Sequence, residues 1–149
     1  MTQAKLHLET GLKTVAKVRD HEVVIDEPIE QGGTDEGPTP VEAVLAALGA
    51  CAAITARLYA QRKGWNLESV EIDLNLDRNV SAKDHPLYKG EAEIINVFRQ
   101  RMNFVGDLTL EQKERLLEIA GRCNVHRVLT TPNLMIEELV TDEELGEHF

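Results

Sequence analysis

The segment that decides the fold runs from Gly32 to Cys51 and reads GGTDEGPTPVEAVLAALGAC. It begins as a loop rich in glycine and proline and continues as the most apolar run of the chain. Thr39 and Glu42 have the spacing of a capping box, and Pro40 occupies the first helical position. The pattern therefore predicts a helix that starts at Thr39.

The predicted helix ends near Lys63, because Gly64 suits a C-terminal cap and basic residues suit the negative end of the helix dipole. Apolar residues cover nearly every side between Val41 and Leu58, which predicts burial on most sides. A helix of about 25 residues is about 37 Å long at 1.5 Å per residue. One thiol, Cys51, lies in its middle.

The residues before the helix and directly after it predict strands. Alternating apolar positions from Leu6 to Val24 predict an antiparallel meander, with turns at Thr10-Gly11 and Arg19-Asp20-His21. A strand with one buried face is predicted over Val70 to Asp77. A second strand is predicted over Tyr88 to Phe104, and its apolar positions partly change face around Ile95 to Val97, which indicates a bulge or a strong bend.

Shorter helices and one more strand follow. The pattern predicts a helix from Thr109 to Arg122, a helical turn from Val125 to Leu129, and a final strand marked by Leu134, Ile136 and Leu139. The helix is expected to turn these residues inward: Leu110, Leu116, Leu117, Ile119 and Ala120. Strands, one long helix, two strands, helices and a strand make an α+β protein.

Length and composition bound the class of protein. The 149 residues suit a single domain over 1–149, with an acidic, exposed tail at about 141–149. A net charge of -10 argues against nucleic acid or an anionic membrane as partner. The apolar part of the long helix is expected to be too short and too alanine-rich for a membrane span. No signal peptide is visible. Two cysteines in this context predict a reducing, cytoplasmic setting.

The two cysteines, Cys51 and Cys123, are too far apart in sequence for a CxxC motif. With His126 they offer no set of four ligands at zinc-finger spacing, so no metal or other cofactor is expected. Neither a GxGxxG loop nor a Gly-x-Ser-x-Gly elbow is present. Free cysteine often packs as a small buried hydrophobe, and Glu42 is already explained by the helix cap.

Cys123 has a setting that favours chemistry. It follows Gly121-Arg122 at a helix break, where a thiol at the start of the next turn is stabilised as thiolate by the dipole. Arg122, His126 and Arg127 add positive or potentially positive charge. Cys51, deep inside its own helix, is expected to need a cation from elsewhere in the fold.

Two motifs in this order resemble the OsmC/Ohr superfamily, in its general OsmC-like branch. The first is the opening segment with Thr55 and Tyr59-Ala60-Gln61-Arg62-Lys63-Gly64. The second is Cys123-Asn124-Val125-His126-Arg127-Val128-Leu129, which is similar to the family's second cysteine motif. The resemblance covers roughly Val15 to Val140.

The resemblance implies an interwoven homodimer with long central buried helices wrapped by antiparallel sheets, and active sites at the subunit interface. It also implies a thiol peroxidase for organic hydroperoxides and hydrogen peroxide. Cys51 would attack the peroxide and become a sulfenic acid, Cys123 would resolve it to a disulfide, and an external thiol would reduce the disulfide.

The chain departs from the family pattern at three places. The glutamate that holds the activating arginine in Ohr-type members would fall at Val41, whereas this chain has Glu42 one position later. The activating arginine falls near Lys13, and Arg19 belongs to a turn. Asn124 replaces the usual proline. Lys13, Glu42 and Arg127 are therefore secondary candidates beside the two thiols.

Two alternatives stay open. The first is a binding module without catalysis, in which the dimer interface holds a small acyl or aromatic ligand and the cysteines are core residues. The second is a redox sensor, in which a Cys51–Cys123 disulfide changes the surface offered to a protein partner.

Overall fold

The computed structural model describes residues 3–8 and 10–141, so the predicted acidic tail lies outside the described residues except for Thr141. Contacts divide the chain into two compact units. One contains the residues up to Val44 and those from Pro132 onward, and the other is Leu45–Thr131. The elements are three strands, a long helix, two strands and two helices, which confirms the α+β class. A single domain over 1–149 stays a prediction.

The first unit contains the predicted meander. Strands β1 (Lys5–His7), β2 (Thr14–Val18) and β3 (His21–Ile25) form an antiparallel sheet in the order β1-β2-β3. Both turns fall where they were predicted. Gly11 has φ 75° in the first, and Arg19 has φ 57° in the second.

The loop after β3 folds around one carboxylate. Asp26 is only 1% exposed. Its oxygens accept hydrogen bonds from the Thr34 hydroxyl at 2.6 Å and from the backbone N–H groups of Glu27, Thr34 and Glu36 at 2.8, 3.0 and 3.2 Å. The Thr34 hydrogen bond and these N–H donors lower the pKa of Asp26 to about 2, against the opposing effect of burial. A Cβ on Gly33 would lie 1.8 Å from the Glu27 carbonyl oxygen, so this turn requires glycine.

Helix α1 (Pro40–Lys63) begins in the first unit and continues into the second. Its predicted capping box is present: the Thr39 N–H donates to the Glu42 carboxylate at 2.8 Å, and the Glu42 N–H donates to the Thr39 hydroxyl at 3.3 Å. Gly64, with φ 67°, follows its last residue. Both predicted ends are confirmed.

Within the second unit, α1 buries a single stripe that contains Leu48, Gly49, Ala52, Ala56 and Ala60. Ile54 and Leu58 are 59% and 53% exposed. The prediction that α1 is buried on most sides is therefore wrong for a single chain, because one chain covers only one side of the helix. The helix is 24 residues long with a mean hydropathy of 1.7 in its most apolar window. By length and composition it could cross a membrane, which corrects the expectation that it is too short.

Strands β4 (Asn66–Ser81) and β5 (Ile94–Asp107) form an antiparallel pair. A bulge occurs opposite Ile95 to Val97 as predicted, but the strand that carries it is β4, whereas the prediction put it in the second strand. Asp77 pairs with Val97 and the next pair is Val80 with Ile95, so β4 carries the additional residue. Residues 88–93 are irregular and contain bends, and β5 therefore begins later than predicted.

Helix α2 (Leu110–Ala120) starts at a second capping box, and α3 (Asn124–Thr130) confirms the predicted helical turn. Leu116 and Ala120 are fully buried, whereas Leu110 and Leu117 are 74% and 49% exposed, so the inward orientation predicted for these two is wrong. Residues 132–141 form neither helix nor strand. The predicted final strand is therefore absent from the described residues, because no ladder pairs with it there.

One hydrophobic cluster forms the core of the second unit. It is built from α1, β4, β5 and α2, and it includes Cys123, while Cys51 and Val125 pack against it. Its α1 members other than Leu48 are alanines. These small side chains let neighbouring elements approach α1 closely, and the core reaches the start of α3.

Candidate active site

The two thiols meet at the N-terminus of α3. The Cys51 sulfur accepts the backbone N–H of Val125 at 3.5 Å, and the Cys123 sulfur accepts the backbone N–H of His126 at 3.4 Å. Because the two donors belong to consecutive residues, the sulfurs are neighbours although 72 sequence positions separate them. Cys51 is half-buried, Cys123 is 1% exposed, and both are free thiols.

The break between α2 and α3 places Cys123 in this position. Cys123 has φ −64° and ψ 162°, the extended geometry of an N-cap residue, and its sulfur serves as the capping acceptor. The prediction that Cys123 starts the next helical turn is confirmed. The Cys51 sulfur, for which a cation from elsewhere in the fold was expected, accepts the N–H of Val125 in the first turn of α3.

Electrostatics distinguish the two thiols. Burial raises the pKa of Cys123, and a hydrogen bond and charge interaction with Cys51 raise it further. The N–H donors of His126 and Val125 act in the opposite direction. Burial, the largest of these effects, therefore favours the protonated form of the Cys123 thiol.

Small residues surround Cys51 on α1. A helical side chain leans over the preceding turn, and there Ala47 and Ala50 are exposed. One turn later, the Thr55 hydroxyl donates to the Cys51 carbonyl at 2.7 Å, which satisfies it inside an apolar helix. Solvent can therefore reach the Cys51 sulfur past two alanines.

The secondary candidates have other contacts. In the first unit, the Lys13 ammonium pairs with Glu36 at 2.9 Å; this contact raises the pKa of Lys13 and lowers that of Glu36. Glu42 lies in the capping box, where the Thr39 N–H lowers its pKa. In the second unit, Arg127 is exposed on α3 and its guanidinium makes no ion pair within residues 3–8 and 10–141. A catalytic role for these three residues stays a prediction.

Sequence reasoning missed the donors to Cys51 and Cys123. Both donors are backbone N–H groups, of Val125 and His126. A backbone donor does not depend on the type of side chain, so the sequence does not reveal it. The only signal was the helix break before Asn124, since a new helix exposes its first N–H groups. That break pointed to Cys123 but gave no reason to connect Cys51 with it.

No group of three or more His, Cys, Asp or Glu side chains that could hold a metal ion occurs in the part of the chain that the structure describes. A cavity of about 650 Å³ lies elsewhere in the second unit, between the end of α1 and the start of α2. Tyr59 and Trp65 line it with their rings 5.6 Å apart, and Arg115 donates to the Tyr59 hydroxyl at 3.2 Å. Neither thiol lines this cavity.

The sequence matches the family of OsmC-like proteins over residues 33–138. This match covers both thiols and most of the chain. The protein therefore belongs to the OsmC-like family, as the two cysteine motifs predicted. No curated protein matches the sequence.

Solved structures share the fold. An OsmC-like protein from Mycoplasma pneumoniae is 18% identical with a TM-score of 0.67, over 87% of this chain and 86% of that one. An organic hydroperoxide resistance protein, OsmC, from Legionella pneumophila is 20% identical with a TM-score of 0.60, over 87% and 89%. An organic hydroperoxide resistance protein from Elizabethkingia anophelis is 15% identical with a TM-score of 0.58, over 87% and 89%.

Proposed function

We propose that this protein is a thiol peroxidase that reduces organic hydroperoxides and hydrogen peroxide. The observation that carries the proposal is the pair of free thiols at the N-terminus of α3. A reversible peroxidatic site needs an accessible thiolate beside a resolving thiol. Half-buried Cys51 and fully buried Cys123 suit these two roles. Two of the structural relatives are named organic hydroperoxide resistance proteins, which supports the same substrate class here.

The proposed reaction starts at Cys51. Its thiolate, which the Val125 N–H stabilises, attacks the terminal oxygen of ROOH. An S–O bond forms, the O–O bond breaks, and the products are a Cys51 sulfenic acid and, after protonation, ROH. The Cys123 sulfur then attacks the Cys51 sulfur, so that an S–S bond forms and water leaves. An external thiol, oxidised in turn, reduces the disulfide.

The test is to mix reduced protein with cumene hydroperoxide and to follow peroxide loss and free thiols. We expect one peroxide consumed and two thiols lost per chain. Cys51→Ser abolishes consumption, and Cys123→Ser leaves a Cys51 sulfenic acid that dimedone traps. Retention of both thiols after excess peroxide would contradict the proposal. Arg127→Ala tests whether this cation on α3 contributes: we expect a fall in the rate of peroxide consumption.

We also propose that the protein acts as a homodimer. The exposed side of α1 supports this proposal, because it carries apolar residues beside a groove of about 390 Å³. These residues line the groove: Ala53, Ile54, Arg57, Leu58, Gln61 and Val70. Exposed apolar patches of this kind mark association surfaces.

The cavity beside Tyr59 favours a second candidate function, binding of a small aromatic ligand. Its volume falls in the range of small-molecule sites, and two aromatic rings line it. Titration with benzoate while Trp65 fluorescence is recorded separates the candidates. Saturable quenching together with peroxide consumption no faster than that of free cysteine favours binding. Fast consumption without quenching favours the peroxidase.

A further inference from the structure

The buried Cys123 thiol lies beside the proposed nucleophile, because the two sulfurs accept the N–H groups of consecutive residues, Val125 and His126. Cys123 is 1% exposed, and burial raises the pKa of its thiol, which favours the protonated form. Its sulfur accepts the His126 N–H at 3.4 Å, which holds the sulfur beside that of Cys51. A thiol needed only for resolution would work equally well as a thiolate. The protonated state of the Cys123 thiol therefore needs a separate explanation.

The chemistry of hydroperoxides requires such a proton. When a thiolate breaks the O–O bond of an alkyl hydroperoxide, the leaving group is an alkoxide. Its basicity is close to that of hydroxide, so it is a poor leaving group at neutral pH unless it is protonated. General acids that protonate a poor leaving group in the transition state typically accelerate such steps by about 10²- to 10⁴-fold.

We propose that Cys123 donates its thiol proton to the leaving oxygen while Cys51 attacks, and resolves the sulfenic acid afterwards. This inference rests on the proposed peroxidase function. In the first step the Cys51 thiolate, ROOH and the Cys123 thiol give the Cys51 sulfenic acid, ROH and the Cys123 thiolate. In the second, the Cys123 thiolate displaces hydroxide from the Cys51 sulfur. The hydroxide takes up the proton that Cys51 lost when it ionised.

The changes in charge during the reaction support this order. Interaction with Cys51 is one of the causes that raise the pKa of Cys123. As the Cys51 thiolate is consumed, this interaction disappears and the Cys123 thiol becomes more acidic. The proton is therefore retained before the attack and released during it. The thiolate that remains is the form required for resolution.

This role makes a prediction about substrates. Alkyl hydroperoxides leave as strongly basic alkoxides and depend on the donor. Peroxyacids leave as carboxylates, whose conjugate acids have a pKa of about 4 as in Asp and Glu side chains, and they need no donor. Comparison of the two classes therefore isolates proton donation from every other function of Cys123.

The experiment measures the first-turnover rate of peroxide loss with cumene hydroperoxide and with peracetic acid. The proteins are wild type, Cys123→Ser and Cys123→Ala. Serine keeps an oxygen that accepts the His126 N–H and can donate a proton, whereas alanine removes both. For the alanine variant we expect about a 100-fold slower reaction with cumene hydroperoxide and an unchanged rate with peracetic acid. Serine is expected to give an intermediate rate with cumene hydroperoxide.

Alkylation of Cys51 by iodoacetamide is the control, because its rate reports thiolate without any leaving oxygen. Equal rates for wild type and the alanine variant with cumene hydroperoxide would overturn the inference and leave Cys123 as a resolving residue only. If the alanine variant reacted more slowly with both peroxides and with iodoacetamide by the same factor, the inference would also be overturned. The substitution would then have reduced the reactivity of the Cys51 thiolate itself. If wild type consumes neither peroxide, the proposed function itself fails.

Discussion

At the residue scale, the two sulfurs differ in exposure and in hydrogen bonding. Cys51 is reached past small alanines and accepts the Val125 N–H, while Cys123 is enclosed and burial raises its pKa. These differences follow from position. Cys51 lies inside a helix, where its side chain faces a neighbouring element, and Cys123 is an N-cap residue turned into the core.

Glu42 provides a prediction at this scale because two roles compete for it. As the third residue of a capping box it can be replaced by glutamine, whose side chain still accepts the Thr39 N–H. For Glu42→Gln we expect an unchanged peroxidase rate and an unchanged melting temperature. Glu42→Ala is expected to lower the melting temperature by about 2 °C. A large loss of activity in the glutamine variant would assign Glu42 a catalytic role.

Asp26 provides a prediction about pH. Its pKa of about 2 lies below the ordinary value of 3.8, so the carboxylate stabilises the fold fully above pH 3.8 and loses this effect as the pH falls toward about 2. For Asp26→Asn we expect a melting temperature about 5 °C lower at pH 7, because the amide cannot accept all four hydrogen bonds. Thermal unfolding should show this difference narrowing below pH 3.8.

The control for Asp26 is Thr34→Val, which removes only the hydroxyl donor. It is expected to lower the melting temperature by less than Asp26→Asn does. A gap between the asparagine variant and wild type that widens on acidification would contradict the role assigned to the carboxylate.

At the scale of elements, α3 is a short helix whose start determines the site. Its first turn supplies both N–H donors to the sulfurs. An isolated helix of this length is marginal in water, so its stability depends on its cap and on the core beneath it. Changes at its first residues therefore affect both stability and the site.

Asn124→Pro tests this dependence. Asn124 is the first residue of α3, where proline is favoured, and Cys123 already has the extended geometry that a residue before proline prefers. No residue that the structure describes accepts a hydrogen bond from the Asn124 N–H. We expect stabilisation by about 0.4–1 kcal/mol in denaturant unfolding, with activity retained. A lower unfolding free energy would contradict the assignment of Asn124 to the first position of α3, where its N–H needs no acceptor.

At the scale of the whole molecule, α1 is apolar on sides that one chain leaves open. Ile54 and Leu58 are more than half exposed although the helix is as apolar as a core segment. The proposed homodimer would cover them. The apolar composition that would let α1 cross a membrane has the same origin. A helix that packs against neighbours on several sides is apolar on all of those sides.

Ile54→Glu tests the proposed dimer. A charge on the exposed side of α1 should convert the dimer to monomer in analytical ultracentrifugation at micromolar concentration, because association would bury an unpaired carboxylate. Leu87→Glu is the matched control, since Leu87 is 82% exposed and lies away from α1 in sequence. We expect no change in sedimentation for the control. A wild type that sediments as a monomer would contradict the proposal.

Features of the fold that depend on residues a few positions apart were predictable from the sequence. The two ends of α1 follow from Thr39, Glu42 and Gly64, since caps are satisfied by residues within a few positions. The place of the bulge was predictable from the change of apolar face around Ile95 to Val97, but the strand that carries the additional residue was not. The final strand over Leu134 to Leu139 was not predictable in the same way, because a strand exists only through a partner in a ladder.

The sequence by itself determined the α+β order of elements, the position of α1 and the presence of two cysteine motifs of the OsmC-like family. Each depends on spacing along the chain, which capping, periodicity and motifs record directly. Only the tertiary structure decided that Cys51 shares the N-terminus of α3 with Cys123 and that one chain leaves much of α1 exposed. Both depend on how distant segments pack. Nearly every residue has a backbone N–H, so the sequence does not show which of them donates to a distant sulfur.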